Sequence, residues 1–370
     1  MNASLNEMLR TVKWGKHRLD TLFVNFNGNF DIQKEHINGR GTLVITAGLS
    51  NNGILGKTDI DAKIFPAGTL TVDMFGNVFY RNEKYKMVTH ARVFSLCPKF
   101  DITDNQGLFL SSTLSFLHFQ FGFDSMCTWD KIKSLYIDLP TCKSGTIDFE
   151  FMESFIAELE AERVSELSAY LKASELVYYE LSTEEEKAIK DYSAYQWGSF
   201  NLEALYGKST RGKRLKSEDR IPGTLPFVTA GEAEEGVSAF IGNDVEVFEK
   251  NTTTIDMFGS AKYRNYRYGG DDHVAIVHTE KVPVKAAIFV TSAINKAAHT
   301  GKFDYGHNFY AKDADALNIM LPMKDGKPDY HAMEILISAI QKLVIKDVVR
   351  YADRKIELTK EATSSPCRRI

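Results

Sequence analysis

Two pairs of residues have the types and spacing of a proton-handling dyad: Asp73 with His90, and Asp256 with His273. An Asp beside a His can fix the imidazole in one tautomer and let it serve as a general base. The interval is the same in both pairs, and each Asp opens an Asp-Met-Phe-Gly tetrapeptide, at 73–76 and 256–259. Acyl or group transfer would also need a nucleophile, and no Ser or Cys accompanies the dyad in both places. The structural alternative is a buried Asp that accepts backbone N–H bonds beside a glycine turn. Asp271, Asp272 and His273 have the types of a metal site, but the matching place upstream holds Val88, Thr89 and His90, so the shared His reads as structural. Gly56-Lys57-Thr58 and Gly207-Lys208-Ser209 look like the end of a phosphate-binding loop. The glycine such a loop needs five residues earlier is replaced by Asn51 and Leu202. The chain also has no Pro-Pro pair for the Asn/Asp-Pro-Pro-aromatic motif of adenine methyltransferases, and no Gly-x-Gly-x-x-Gly loop.

The elements that must position these residues are written twice. A shift of 183 residues carries Trp14-Gly15 onto Trp197-Gly198, Asp73 onto Asp256, Gly76 onto Gly259, Arg81 onto Arg264 and His90 onto His273. Leu139-Pro140 then maps onto Leu321-Pro322, and Asp148-Phe149 onto Asp329-Tyr330, after slips of one and two residues. Such slips with recovered landmarks mean loop insertions on a shared framework. Each copy runs from the Trp-Gly segment through short β-type runs to a closing helix. Strands are predicted at 43–46, 69–72, 78–80 and 91–95, and at 227–229, 252–255 and 274–277, from β-branched and aromatic residues. Gly76 and Gly259 fall where the chain must turn sharply.

The closing helices are the clearest elements. Met152, Ile156, Leu159, Val164, Leu167 and Leu171 recur mostly at steps of three and four, as do Met333, Leu336, Ile340, Leu343, Val344, Val348 and Tyr351. Asp148 and Asp329 are the expected N-caps. The first helix, from Asp148 to Ser174, would be a rod of about 40 Å. Its economical packing partner is the other copy's rod. A second helix start, with a Ser/Thr–Glu capping pattern, lies at Leu181–Lys187. The expected fold is α+β: domains at 1–147 and 196–328, helical spacer regions at 148–195 and 329–360, and a flexible tail at 361–370.

Composition narrows the function classes. A chain of 370 residues with 44% hydrophobic and 25% charged residues supports two full cores. No signal peptide or membrane-length apolar run is present, and four cysteines without counterparts between the copies read as reduced thiols in the cytoplasm. A net charge of −4 argues against a histone-like binder but leaves room for local basic surfaces.

The copies share strand, glycine and helix landmarks and differ in loops, where recognition is usually placed. The unlike segments are 24–40 against 207–220, 49–52 against 232–235, and 115–133 against 295–315. Arg211, Lys213, Arg214 and Lys216 form a basic run. Tyr80, Arg81, Lys84 and Lys86, and likewise Tyr263, Arg264, Arg267 and Tyr268, interleave cations with aromatics after the Asp-Met-Phe-Gly turn. These are either solvated strand edges or a nucleic-acid surface, and recurrence at one position in both copies puts the two readings level. With Ser50, Asn51, Asn52 and Lys57 they make up the candidate DNA-contacting set.

The chain resembles the specificity subunits of type I restriction–modification systems, and most of all those of type IIB (BcgI-like) systems. The resemblance covers nearly the whole chain. It rests on the tandem half-repeats, the helix closing each, and the phrase Thr229-Ala230-Gly231, Gly236-Val237, Ile255 to Gly259, Tyr263-Arg264 and Asp272-His273. The first copy has Thr46-Ala47-Gly48, Gly53-Ile54, Val72 to Gly76 and Tyr80-Arg81 in the matching places, but Thr89 before His90. The resemblance implies two target-recognition domains, each reading half of a split double-stranded DNA sequence. It also implies an antiparallel coiled-coil spacer that docks methyltransferase subunits, themselves fused to or joined by a restriction nuclease. By the same resemblance no catalysis and no cofactor are expected of this chain, and S-adenosylmethionine is expected in the partner. A spacer of about 40 Å exceeds one DNA turn of about 34 Å, which places the half-sites roughly a turn apart. Two other classes remain: a duplicated enzyme using the Asp/His pairs, and a protein-binding scaffold without DNA affinity.

Overall fold

The structure is a computed structural model that describes residues 3–364. It divides into two compact units, residues 3–170 with 352–364, and residues 171–351. In the first unit, strand Lys13–Arg18 pairs antiparallel with Tyr136–Thr141, so Trp14 lies opposite Pro140 and Gly15 opposite Leu139. These sequence landmarks are therefore direct cross-strand partners. Gly15 is required there, because a Cβ would lie 2.6 Å from the Thr141 methyl. A four-stranded sheet follows in the order Phe23–Asn27, Phe94–Pro98, Thr69–Val72, Val78–Arg81. A three-stranded sheet runs Ile54–Thr58, Thr42–Ile45, Tyr85–Met87, its last pair parallel.

The second unit repeats this plan. Trp197 lies opposite Pro322 and Gly198 opposite Leu321. One sheet has the order Thr210–Arg211, Val274–Val277, Thr252–Asp256, Ala261–Arg264. Another runs Val237–Ile241, Pro222–Val228, Tyr268–Gly270, Val247–Phe248, with the central pair again parallel. The central strand expected at 91–95 in the first copy forms at Phe94–Pro98 instead, because residues 89–92 turn, with Arg92 at φ 50°.

Both closing helices form and both Asp N-caps hold. Asp148 Oδ1 accepts from the Phe151 N–H at 2.9 Å and Asp329 Oδ1 from Ala332 at 3.0 Å, at the heads of Phe149–Ala173 and Tyr330–Ser364. The last helix runs to Ser364, so residues 361–364 are helical rather than tail, and 365–370, with Cys367, lie outside the described residues. Ser182 caps helix Thr183–Lys190 in a capping box with Glu185. The apolar stripe of the first closing helix is buried at Met152, Val164 and Leu171. On the last helix it is buried only at Met333 and Leu336. Ile340, Leu343, Val344, Val348 and Tyr351 are exposed, against the expectation of a fully covered stripe.

One inner helix per unit escaped the sequence pattern. Asp104–Thr113 crosses strand Val78–Arg81, with Gly107 against the Tyr80 ring, where a Cβ would come within 2.2 Å. Val284–Ala298 buries Ala286, Ala287, Val290, Thr291, Ile294 and Ala298 in the second core. Each unit has a large core around its inner helix and a smaller one beside the parallel strand pair.

Candidate nucleic-acid interface

The Asp-Met-Phe-Gly turn is the anchor of a polar framework, and it is built alike twice. Asp73 is 4% exposed and its carboxylate accepts four bonds. Oδ1 takes the N–H groups of Phe75 and Asn77, both at 2.9 Å. Oδ2 takes the Gly48 N–H at 2.7 Å and the Asn77 side chain at 2.8 Å. Asp256 receives Phe258, Ser260 and Gly231 N–H groups at 3.0, 2.9 and 3.2 Å. Gly76 and Gly259 sit at φ 78° and 84°, each against a backbone carbonyl, of Leu117 and Ala298, that a Cβ would approach to 2.5 Å.

The Asp thus ties the Thr-Ala-Gly segment to the turn, and the loop that follows projects outward. In both copies this loop is a short 3₁₀ turn with two successive non-glycine residues in the left-handed region: Asn51 and Asn52 at φ 48° and 52°, Glu234 and Glu235 at φ 47° and 54°. Asn accepts that region readily; Glu does so at a cost of about 1–2 kcal/mol per residue. The loop is clamped at its base by Thr46 N–H to Gly53 O and Thr229 N–H to Gly236 O, both 2.8 Å. A buried arginine secures its far end. Arg81 Nη2 donates to Asn52 O at 2.8 Å and Nε to Thr71 Oγ1 at 2.9 Å. Arg264 donates to Glu235 O at 2.8 Å and Thr254 Oγ1 at 3.0 Å.

Neither Asp/His dyad forms. The His90 ring pairs with Asp31 at 2.6 Å, where Asp31 also takes the Thr89 hydroxyl and the His90 N–H, pinning the first variable segment. Its hydrogen bonds from His90 hold the Asp31 carboxyl below the ordinary range. His273 Nδ1 lies 3.0 Å from Asp272. The Asp73 and Asp256 carboxylates are occupied by the framework donors instead, the structural alternative. Asp271, Asp272 and His273 do converge, with ligand-type atoms within 4.8 Å of one another. Burial and the adjacent Asp272 carboxylate raise the Asp271 carboxyl.

The structure sorts the candidate DNA-contacting residues by depth. Ser50, Asn51, Asn52, Lys57, Lys84, Arg211, Lys213, Arg214, Lys216 and Arg267 are exposed. Arg267 pairs with Glu249 at 3.2 Å and Lys216 with Glu218 at 3.7 Å. Tyr80 and Tyr263 are half-buried and donate to Asp104 and to Asn251 Oδ1. The other four candidates are buried. Arg81 and Arg264 are 7% and 1% exposed and serve as framework posts, not as cations standing on an open surface. Lys86, 4% exposed, donates to the carbonyls of Thr58 and Ile60. Tyr268 is fully buried, its hydroxyl 2.9 Å from Thr252 Oγ1, which repeats the Tyr85–Thr69 contact of the first copy at 2.8 Å. Strand alternation puts Arg81 on the face opposite Tyr80, together with Phe79, whose ring centroid is 5.1 Å from its guanidinium carbon, and the Asn52 loop closes over it there.

The basic run is placed by residues its charge pattern does not include. Arg211 pairs with Ala275 across a strand edge, and Gly212 lies so close to Gly270 O that a Cβ would sit 1.7 Å from it. Arg220 donates to Leu215 O from Nε and Nη2 at 3.4 and 3.3 Å while its guanidinium carbon stands 5.2 Å from the Phe227 ring centroid. Arg220, Asp31 and the Glu234-Glu235 pair belong to no motif, because their roles lie in loop geometry. The one available signal was that the copies diverge there.

Comparison with known proteins agrees with this construction. Residues 11–169 match the family model described as the type I restriction modification DNA specificity domain. The chain is 24% identical over 347 residues to the type II restriction enzyme specificity subunit S.BcgI of Heyndrickxia coagulans, covering 91% of this chain and 97% of that protein. Its fold is similar to the type I restriction–modification S subunit of M. genitalium, with a TM-score of 0.52, 16% identity, and coverage of 95% and 94% of the two chains. With a duplicated unit, two copies of one polar framework and unlike loops upon it, the chain is similar over nearly its whole length to a specificity subunit of a restriction–modification system, and its residues 11–169 match that family's DNA specificity domain.

Proposed function

We propose that this chain is the non-catalytic DNA-reading subunit of its complex, with each unit reading one half of a bipartite double-stranded target. The observation that carries this reading is the contrast between framework and loops. The Asp–Arg–Gly framework is the same in both units, while the loops it presents are Ser50-Asn51-Asn52 in one and Ala233-Glu234-Glu235 in the other. One scaffold with two chemically different readers suits a target whose halves differ. The exposed run Arg211, Lys213, Arg214 and Lys216, with Lys57 and Lys84, supplies phosphate contacts. The closing helices serve as an antiparallel ruler. The exposed stripe Ile340, Val344, Val348 and Tyr351 supports a second role for the last helix, docking a methyltransferase subunit fused to or joined by a nuclease. Adenine extrusion and transfer from S-adenosylmethionine then belong to that partner. Among the described residues no helix is long and apolar enough to cross a membrane, and Cys97, Cys127 and Cys142 are free thiols, which suits a cytoplasmic complex. The two dyads, drawn apart by other partners, give no support to a duplicated enzyme.

The test is to express the chain with its methyltransferase and map methylated adenines by single-molecule sequencing. A split target with a fixed gap is expected. Adding one heptad to each closing helix, about 10 Å, should widen the gap by roughly three base pairs. An unchanged gap would defeat the ruler.

A further inference from the structure

The two framework arginines differ at one atom. In the second unit Arg264 Nη1 donates to the Tyr266 hydroxyl at 3.0 Å, so the guanidinium is engaged at Nε, Nη1 and Nη2. The residue matching Tyr266 in the first unit is Glu83, which is exposed and makes no ion pair with Arg81. Arg81 Nη1 has no hydrogen-bond partner, yet it is not among the polar atoms sealed from solvent. Arg81 lines a pocket of about 320 Å³ together with Asn52, Asn82, Tyr80 and Glu83. Arg81 is more than nine-tenths buried and no carboxylate neutralises it among the described residues. Burial accordingly depresses its pKa to about 10. A buried cation without a counter-ion is costly, and the cost is recovered when an anion arrives.

We propose that this pocket, beside the exposed Asn52 loop, is a phosphate-binding site of the first unit, with Arg81 Nη1 as its charged donor. The Asn52 and Asn82 side chains add neutral donors at its rim. The second unit has no such site at the matching place, because Tyr266 occupies its arginine. This inference rests on the DNA-reading function above, in which the phosphate is one of the target's backbone; free inorganic phosphate has the same chemistry.

Glu83→Tyr copies the second unit's arrangement and would close the site while leaving the bonds to Thr71 and Asn52 intact. Glu83→Gln is the control, since it removes the same negative charge without filling the pocket. DNA binding is measured over a salt series on the reconstituted complex with its methyltransferase. Loss of an acid near DNA tightens binding, so E83Q should bind at least as well as wild type. E83Y should bind about tenfold more weakly, the loss of one charge-assisted bond, with a log–log salt slope shallower by about 0.9. Should E83Y melt early, Glu83→Phe fills the pocket with the same expected loss. Inorganic phosphate, titrated without DNA, is read by melting temperature. A rise in wild type that E83Y abolishes extends the site to the free anion; no rise alongside the DNA effect confines it to backbone phosphate. E83Y matching E83Q in affinity and slope, in a complex whose wild type binds DNA, overturns the pocket and spares the DNA-reading function. No salt-dependent DNA binding by wild type overturns the function itself.

Discussion

Asp73→Ala is the most demanding perturbation of the framework. The carboxylate accepts four bonds between 2.7 and 2.9 Å and is 4% exposed, so its removal strands the Gly48, Phe75 and Asn77 N–H groups and the Asn77 side chain. Hydrogen bonds to a charged group contribute about 1.5–3 kcal/mol each, and losses within one cluster fall short of their sum. A total of about 4 kcal/mol is therefore expected, which for a unit of this size lowers the melting temperature by about 8–16 °C. Asp256→Ala removes three such bonds and should cost somewhat less. The assay is chemical denaturation of the full chain followed by circular dichroism, with His90→Ala alongside. His90 touches the exposed Asp31 rather than Asp73, so its removal should shift the midpoint only slightly. A D73A midpoint within about 1 kcal/mol of wild type, or an H90A loss equal to that of D73A, would refute the framework role.

Three further outcomes follow from particular contacts. Glu235→Asn, which relieves a left-handed Glu while keeping the carbonyl that Arg264 holds, should stabilise the chain by about 0.5–1 kcal/mol in the same denaturation assay. Lys213→Ala and Arg214→Ala should each weaken DNA binding with little dependence on sequence and reduce the salt slope by about 1, measured by titration at several ionic strengths. Burial alone would raise the Glu185 carboxyl, but the Lys342 ammonium at 2.7 Å and the Ser182 N–H outweigh it and bring it to about 2. A depressed carboxyl contributes stability above its unfolded value and loses it as pH falls. Wild type should therefore lose stability relative to Glu185→Gln between about pH 4.5 and pH 2, by melting at stepped pH, and the two should converge at the acid end.

Much of the fold was legible because its signals are local or repeated. The Asp148 and Asp329 caps, the Ser182 capping box and the strands at 69–72 and 274–277 each follow from a few neighbouring residues. The duplication located the Trp-Gly and Leu-Pro landmarks before their pairing was known. Depth was not legible. Arg81 and Arg264 sit in cation-rich runs, and what buries them is a carbonyl 29 residues upstream in a left-handed loop. The inner helices hid for opposite reasons: Asp104–Thr113 carries Gly107 and a polar C-terminal turn, and Val284–Ala298 is apolar over most of its surface. The stripe from Ile340 to Tyr351 had the right period for burial, yet a helical period gives the same signal whether the face meets this chain or a partner.

The idea that each unit reads its own half-site is tested most directly by making the two units alike. Replacing residues 197–322 with residues 14–140 joins the graft at the matched strand pairs Trp14–Pro140 and Trp197–Pro322, so the closing helices are retained. Methylated adenines mapped with the partner methyltransferase should then reveal a target whose second half is an inverted copy of the first, across the same gap. Retention of the original asymmetric target, or a new sequence unrelated to the first half, would contradict it.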